Sequence, residues 1–534
     1  MKKVLLALLG LLIIGGFFGY NAYSKHQAFI NEESISYLAN DNNEVNVLDK
    51  DYNPVNLVRG KEVKAKYNKD ININDIKYIE IELDNNIYYV LQDNLVNNIE
   101  EVVKEKELYV NKNQILYEDI NSPIIVSSLF ENDKLDVLGY KELNEDGSVK
   151  YYYVDHNGNK GYVKGEFVGK TYASLAYDSN KYLNLSGQEA IKVKYYPKDD
   201  KAYHINGNDM PDSCNTLYIN AETIRNVDEY LDIASNSNIN AFVVDIKDTH
   251  VLSYNSDVVN KYSPSSGNGI NSKELFKENV KKLNDAGYYT IGRITVFKDP
   301  GFAIDHKELC VELNNEPYYF NSSMWPSIYQ RKVWEYNVSL ALEAIELCNF
   351  NEIQFDYVRL PEYIPIEANM RNDYQENSIE AITHFINYAT DVLHDKNVYV
   401  SIDVFGEVSG MYVTTYGQYW PAISNAADVI SPMPYPDHFG PGYYGIDKPW
   451  EKPYELMHAW GSNALNCQNE TYEPARLRTW IQVYDSISYP VIYDATKVKE
   501  QINALRDLGI HNGYITWNGA ASYEKFRYVI DAFR

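Results

Sequence analysis

The sequence predicts an α/β chain: a (β/α)8 barrel at the C-terminus, preceded by small all-β domains and an N-terminal apolar segment. Three observations lead there. From about residue 214 onward, strand-like runs alternate with amphipathic helical stretches, as in a parallel sheet built from βαβ units. Within those runs one parity is apolar, while the other gathers polar groups toward the C-terminal end. Residues from about 40 to 170 instead form short Val/Ile/Tyr runs broken by Asn, Asp and Gly. An open doubly wound sheet is the alternative for the C-terminal part, but no GxGxxG follows its first run.

Eight runs qualify as barrel strands: 216–220, 241–247, 288–295, 352–357, 398–405, 429–435, 479–484 and 513–518. Helical stripes separate them. Phe276, Val280 and Leu283 share a face, with Asn271 and Glu274 spaced as a capping box and Gly287 as the stop. Trp334, Val338, Leu342 and Ile345 make a second stripe. Asn377 and Glu380 box the start of a third, which carries Ile382, Phe385 and Ala389, and Val498, Ile502 and Leu505 make a fourth that ends at Gly509.

The chain has 534 residues, more than one ordinary domain, and 45% hydrophobic content supports a large core. A net charge of −26 argues against a nucleic-acid partner, which requires basic patches. The four cysteines (Cys214, Cys310, Cys348, Cys467) are too few and too scattered for a zinc site or a disulfide scaffold, and no His/Cys ligand cluster occurs, so neither metal nor cofactor is expected. The 50 tyrosines suit strand packing, and some suit the stacking surface that a carbohydrate needs.

At the N-terminus Lys2 and Lys3 precede an apolar run from Val4 to about Tyr20, an export signal or a membrane anchor within residues 1–24. The lysines orient the rest of the chain outward, to an extracellular or cell-surface location. Two weakly similar β units follow, at 40–100 and 105–170, and the second ends in a turn at Asn157-Gly158 before Gly161-Tyr162-Val163. These units resemble bacterial SH3-like domains, which implies contact with cell-wall peptides or glycans; a plain β spacer is the other reading. Residues 171–210 form a connector, and the barrel spans 211–534.

Parity places a polar set in the lumen. Phe242, Val244 and Ile246 face outward, leaving Asp245 and Lys247 inside. By the same rule Arg293, Gln354, Asp356, Ser401, Asp403 and Gln482 point inward, with Tyr357, Arg359, Phe405, Tyr435 and Trp517 nearby. Carboxylates walled by aromatics suit glycoside hydrolysis, in which one acid protonates the leaving oxygen and the other attacks carbon or activates water. Each member also has a structural reading: Asp356 as a turn cap, Asp403 or Asp245 as an ion-pair partner, Glu407 and His438 as solvated loop residues, and Trp517 as barrel wall.

The segments VVDIKD, GRITVFKDP, EIQFDYVRLP, SIDVFGEV and ISPMPYPDHFGPGYYG resemble, over roughly 214–534, a bacterial family of glycosyl hydrolase domains of unknown function related to amylase-type barrels. The resemblance implies a TIM barrel, a polysaccharide substrate and, by analogy with amylase-type barrels, Asp356 as nucleophile. The acid of those barrels is a Glu ending the fifth strand; this sequence has Asp403 at that level and Glu407 four residues later. Gln482 stands where they carry a third carboxylate, with Asp485 close behind. The expected catalytic set is therefore Asp356, Asp403 and Glu407, and the expected substrate-binding set Asp245, Lys247, Arg293, Gln354, Tyr357, Arg359, Tyr435, His438, Gln482 and Trp517. A barrel that binds glycan without cleaving it is the rival reading; a metal-dependent deacetylase fits less well, for want of clustered histidines.

Overall fold

Backbone contacts divide the chain into two units, one formed by residues 1–122 and 126–174, the other by 123–125 and 175–534. The computed structural model describes residues 34–177, 182–183, 191–487 and 489–534. The expected signal or anchor at 1–24 lies outside them, as does part of the connector.

The first unit is all β and internally repeated. Seven strands from Ser34–Leu38 to Leu95–Val96 form one sheet, and seven from Glu107–Val110 to Val168–Gly169 form another. Numbered within each set, the spatial order is third, second, sixth, fifth, fourth, first, seventh in both sheets. Each sheet buries one alternating face: Val45, Val47, Val63, Ala65, Ile79 and Ile81 in the first, Leu108, Leu135, Val154 and Val163 in the second. A buried Arg59 sits between the repeats. It donates to Glu105 at 2.7 and 2.8 Å and to the Gly147 carbonyl at 2.9 and 3.1 Å, so its charge is paired and its donors are occupied.

The second unit is a nearly closed parallel barrel of nine strands: β1 (Cys214–Ile219), β2 (Ala241–Asp248), β3 (Tyr289–Thr295), β4 (Glu352–Asp356), β5 (Tyr399–Phe405), β6 (Val429–Met433), β7 (Arg476–Leu477), β8 (Thr479–Gln482) and β9 (Gly513–Trp517). Each strand pairs in parallel with the next, except that β7 and β8 do not pair with each other: β7 pairs with β6 and β8 with β9. Strands β7 and β8 flank the single residue Arg478, whose N–H still donates to the Ile430 carbonyl. Strand β9 returns to β1 at Gly513, where φ is +91° and a Cβ would fall 2.1 Å from the Cys214 carbonyl oxygen, so only glycine fits.

Helices lie outside the sheet. α1 (Val227–Ser235), α2 (Lys273–Asp285), α3 (Arg331–Cys348), α4 (Ser378–His394), α5 (Trp420–Ala426), α6 (Pro453–Asn469) and α7 (Ala495–Asp507) follow β1, β2, β3, β4, β5, β6 and β8. The capping box of α4 forms as expected, Glu380 N–H to Asn377 at 3.0 Å and the return bond at 2.9 Å. That of α2 does not: Ser272 is its cap, because the Asn271 side chain is bonded to the Ala221 and Ser253 carbonyls. Outward residues supply the core between the layers. Phe297 beyond β3 and Phe355 of β4 both meet the Phe385 ring of α4 at 5.5 Å.

The lower lumen holds a charged layer of its own. Glu352 and Arg478, at 0% and 1% exposure, pair at 2.9 and 3.0 Å, and Tyr289 donates to Glu352 at 3.0 Å.

Candidate active site

The upper lumen is built from the C-terminal ends of the strands. Register sets Asp245 beside Arg293, Arg293 beside Gln354, and Asp403 beside Ser431. Arg293 is the hub. It donates to Asp245 at 2.8 Å and to Asp356 at 2.5 Å, lies 3.5 Å from Asp248, and has its Nε 3.9 Å from Asp403 Oδ2. Its guanidinium also lies 5.6 Å from the Trp517 ring centre. One cation thus faces four carboxylates in a largely dry site, where such bonds are stronger than in water.

The carboxylates differ in surroundings. Asp245 accepts from Tyr218 at 2.5 Å as well as from Arg293. Burial raises its pKa, Arg293 and Tyr218 pull it back, Asp248 pushes it up again, and the result is about 6. Asp403 accepts from Trp480 Nε1 at 2.8 Å, while its Oδ2 has no hydrogen-bond partner among the described residues. Burial first, and the charge of Asp356 second, hold its carboxyl well above the usual carboxylate range, with Arg293 and Trp480 opposing. Asp356 is the less enclosed of the two, 6% exposed against 1%. Its Oδ1 accepts from the following Tyr357 N–H at 2.6 Å. Tyr357 itself has φ of +54°, a left-handed conformation that costs a bulky residue about 1–3 kcal/mol and turns the chain sharply after the carboxylate.

Aromatic rings close the site. Trp517 is half-buried, 4.9 Å from Tyr218, 5.5 Å from Trp480 and stacked 6.4 Å from the buried Tyr435. Tyr435 meets the exposed His438 edge-on at 5.1 Å. Gln354 donates to Ser431 at 3.3 Å and leaves its Oε1 without a partner among the described residues.

The structure therefore brings Asp245, Arg293, Gln354, Asp356, Asp403, Tyr435 and Trp517 together, with Tyr357 and His438 at the rim. Four expected site residues stand apart from the Arg293 cluster. Lys247 does not enter the lumen: a register shift after Asp245 sets it opposite Ile294, where it pairs with Asp299 at 2.5 Å and Asn337 at 2.9 Å on the helix side. Among the described residues Arg359 reaches no lumen carboxylate; it binds Glu362 and the Leu360 carbonyl amid Trp325, Tyr357, Phe405 and Tyr416. Gln482 has both ends of its amide engaged, accepting from Asp437 N–H at 3.0 Å and donating to the Tyr484 carbonyl at 3.1 Å, so it braces a loop. Glu407 is exposed on the Gly406–Gly410 turn and accepts from Tyr416; no hydrogen bond or ion pair joins it to Arg293 among the described residues. Asp485 is likewise elsewhere, paired with Lys525 at 2.5 Å. Tyr218, Asp248 and Trp480 are site residues absent from the expected set. The parity that places Asp245 inward also places Tyr218 and Trp480 there.

Among the described residues no group of three or more His, Cys, Asp or Glu side chains is arranged to hold a metal ion.

A family model described as "Putative glycosyl hydrolase domain" matches residues 216–523. Among solved structures, a hypothetical protein from Ruminiclostridium thermocellum ATCC 27405 is 30% identical over 35% of this chain and 97% of its own, with a TM-score of 0.31. The PgaB (BpsB) glycoside hydrolase domain from Bordetella bronchiseptica is 12% identical over 60% and 99%, with a TM-score of 0.44. A class V chitinase from Pseudomonas fluorescens Pf-5 is 12% identical over 60% and 99%, with a TM-score of 0.39. No curated protein matches the chain. With the family model covering more than half of its length, the chain belongs to this family of glycosyl hydrolase domains.

Proposed function

We propose that the chain hydrolyses glycosidic bonds in a cell-envelope or extracellular polysaccharide, with Asp356 and Asp403 as a working pair. The observation that carries this reading is the asymmetry of the two acids around Arg293: Asp356 takes its 2.5 Å hydrogen bond, while Asp403 lies 3.9 Å away, its pKa pushed well above the usual carboxylate range by burial and by the charge of Asp356. A pair with one negative charge and one proton is what a two-carboxylate mechanism requires. Asp356, the less enclosed member, meets the anomeric centre as nucleophile or stabilising charge. Asp403 keeps the proton that the leaving oxygen needs; Glu407, exposed at the rim, is the alternative source. Trp517 and Tyr435 offer ring faces to the sugar.

The rest of the organisation fits an exported enzyme. In this reading β7 and β8 count as one strand broken at Arg478, giving a (β/α)8 TIM barrel. The repeated β sheets are SH3-like modules that touch the cell wall, and the Lys2–Lys3 apolar run exports the chain or tethers it to the membrane.

The test is release of sugar from purified cell envelope and from exopolysaccharide by the wild type, Asp356→Asn, Asp403→Asn and Glu407→Gln. Activity in the wild type that is lost in both aspartate variants supports the pair, and the Glu407 variant decides between the two proton sources. The enclosure of both aspartates favours one rival, a barrel that binds glycan without turnover. Binding by all four proteins with release by none would establish it.

A further inference from the structure

The GRITVFKDP stretch contains a charge that the site described above does not use, Lys298. Its backbone is fixed on both sides. Val296 N–H donates to the Asp356 carbonyl at 2.9 Å and Phe297 N–H to the Tyr357 carbonyl at 3.3 Å, so the chain beyond β3 runs beside the end of β4. After it, Asp299 caps the next turn by accepting from Phe302 N–H at 2.9 Å and pairs with Lys247 at 2.5 Å. The bulge that removes Lys247 from the lumen thus helps to hold Lys298 at the mouth.

The half-buried Lys298 ammonium stands 4.9 Å from the Tyr357 ring centre and 5.9 Å from that of Trp325. The cations around it are engaged: Arg359 with Glu362, Arg293 with Asp245 and Asp356, Lys247 with Asp299. Among the described residues Lys298 has no ion pair within 4.0 Å and no hydrogen-bond acceptor; the carboxylates of Glu362, Asp248 and Asp356 act on it only at longer range. Aromatic faces attract an ammonium but give it no strong acceptor. A partly desolvated cation is best compensated by an oxyanion, whereas the hydroxyls of a neutral sugar leave its charge unpaired. The chain's net charge of −26 repels an anionic polymer at long range, so such a substrate needs a local cation to be held.

We propose that Lys298 is a substrate-binding residue that selects a glycan carrying an oxyanion, either a ring carboxylate or a linkage phosphate, beside Asp356. This rests on the barrel mouth being the glycan site, and it deepens that reading by naming the substrate class.

Calorimetric titration of the full chain tests it with three probes of matched length: a glucuronate-containing oligosaccharide, a glycerol-phosphate oligomer and a neutral glucan oligosaccharide. Binding is read without turnover, so a barrel that binds but does not cleave still reports, and failure here is distinguishable from failure of the hydrolase assignment. One anionic probe is expected to bind at least about tenfold more tightly than the neutral one, and which of the two does so names the source of the oxyanion. Lys298→Met should erase that preference while leaving the affinity for the neutral probe, and Lys298→Arg should restore most of it. Tryptophan fluorescence confirms that the variants are folded. A wild type without preference, a Lys298→Met variant that keeps it, or one that loses all three probes equally overturns the proposal.

Discussion

Replacing Asp245 with asparagine alters the charge of the barrel mouth while keeping its shape. In the unfolded chain this carboxyl ionises near 3.8; in the folded barrel burial raises it to about 6, against the pull of Arg293 and Tyr218. Between those values the folded state binds a proton that the unfolded state does not, so the contribution of Asp245 is fully present below the unfolded value and is lost as pH rises through the folded one. A shift of about two units corresponds to a loss of about 3 kcal/mol between about pH 4 and 6.5. Asparagine cannot titrate, so the variant lacks this slope. The assay is urea unfolding at stepped pH, followed by tryptophan fluorescence. All seven tryptophans, from Trp325 to Trp517, lie in the barrel unit, so the signal does not mix its unfolding with that of the β repeats. The stability difference between wild type and variant should move by about 3 kcal/mol in favour of the variant across that window. A difference that stays flat with pH refutes the electrostatic account of the site.

Two further perturbations separate the framework from the site. Arg478→Met leaves Glu352 buried without its cation and should cost about 3–5 kcal/mol in urea unfolding, while glycan binding by the folded fraction is unchanged because the pair lies in the lower layer. His394 is buried between Asp428 and Asp199; burial opposes its charge, but the two carboxylates prevail and raise its pKa to about 10. Its contribution is present below about pH 6.5 and lost as pH rises through about 10, so the melting temperature of the wild type should fall over that range more steeply than that of His394→Gln.

Much of this architecture was legible in the residues. The eight expected runs all form strands, the short strand Arg476–Leu477 before the seventh being unexpected, and the parity rule sends Asp245, Arg293, Gln354, Asp356 and Asp403 inward, because a strand with one face on helices must alternate. The failures share a cause: a local choice settled by tertiary partners. A single extra residue in β2 reverses Lys247, and composition carries no mark of a bulge whose reason is Asp299 and Asn337 across the helix layer. Asn271 has the spacing of a cap but is claimed by two carbonyls, so Ser272 takes over. Arg359 and Gln482 lie on or next to correctly placed segments but have local partners close by. Tyr218 and Trp480 carry no charge to mark them in the sequence, although each donates a hydrogen bond to one carboxylate.

The central claim is that Asp356 is the carboxylate on which glycan cleavage turns. The measurement that tests it most directly is kcat/KM for sugar release by Asp356→Asn beside the affinity of the same variant for the uncleaved glycan. The account predicts a loss of about a hundredfold to ten-thousandfold in kcat/KM with affinity retained. Undiminished turnover in a folded Asp356→Asn protein would contradict it.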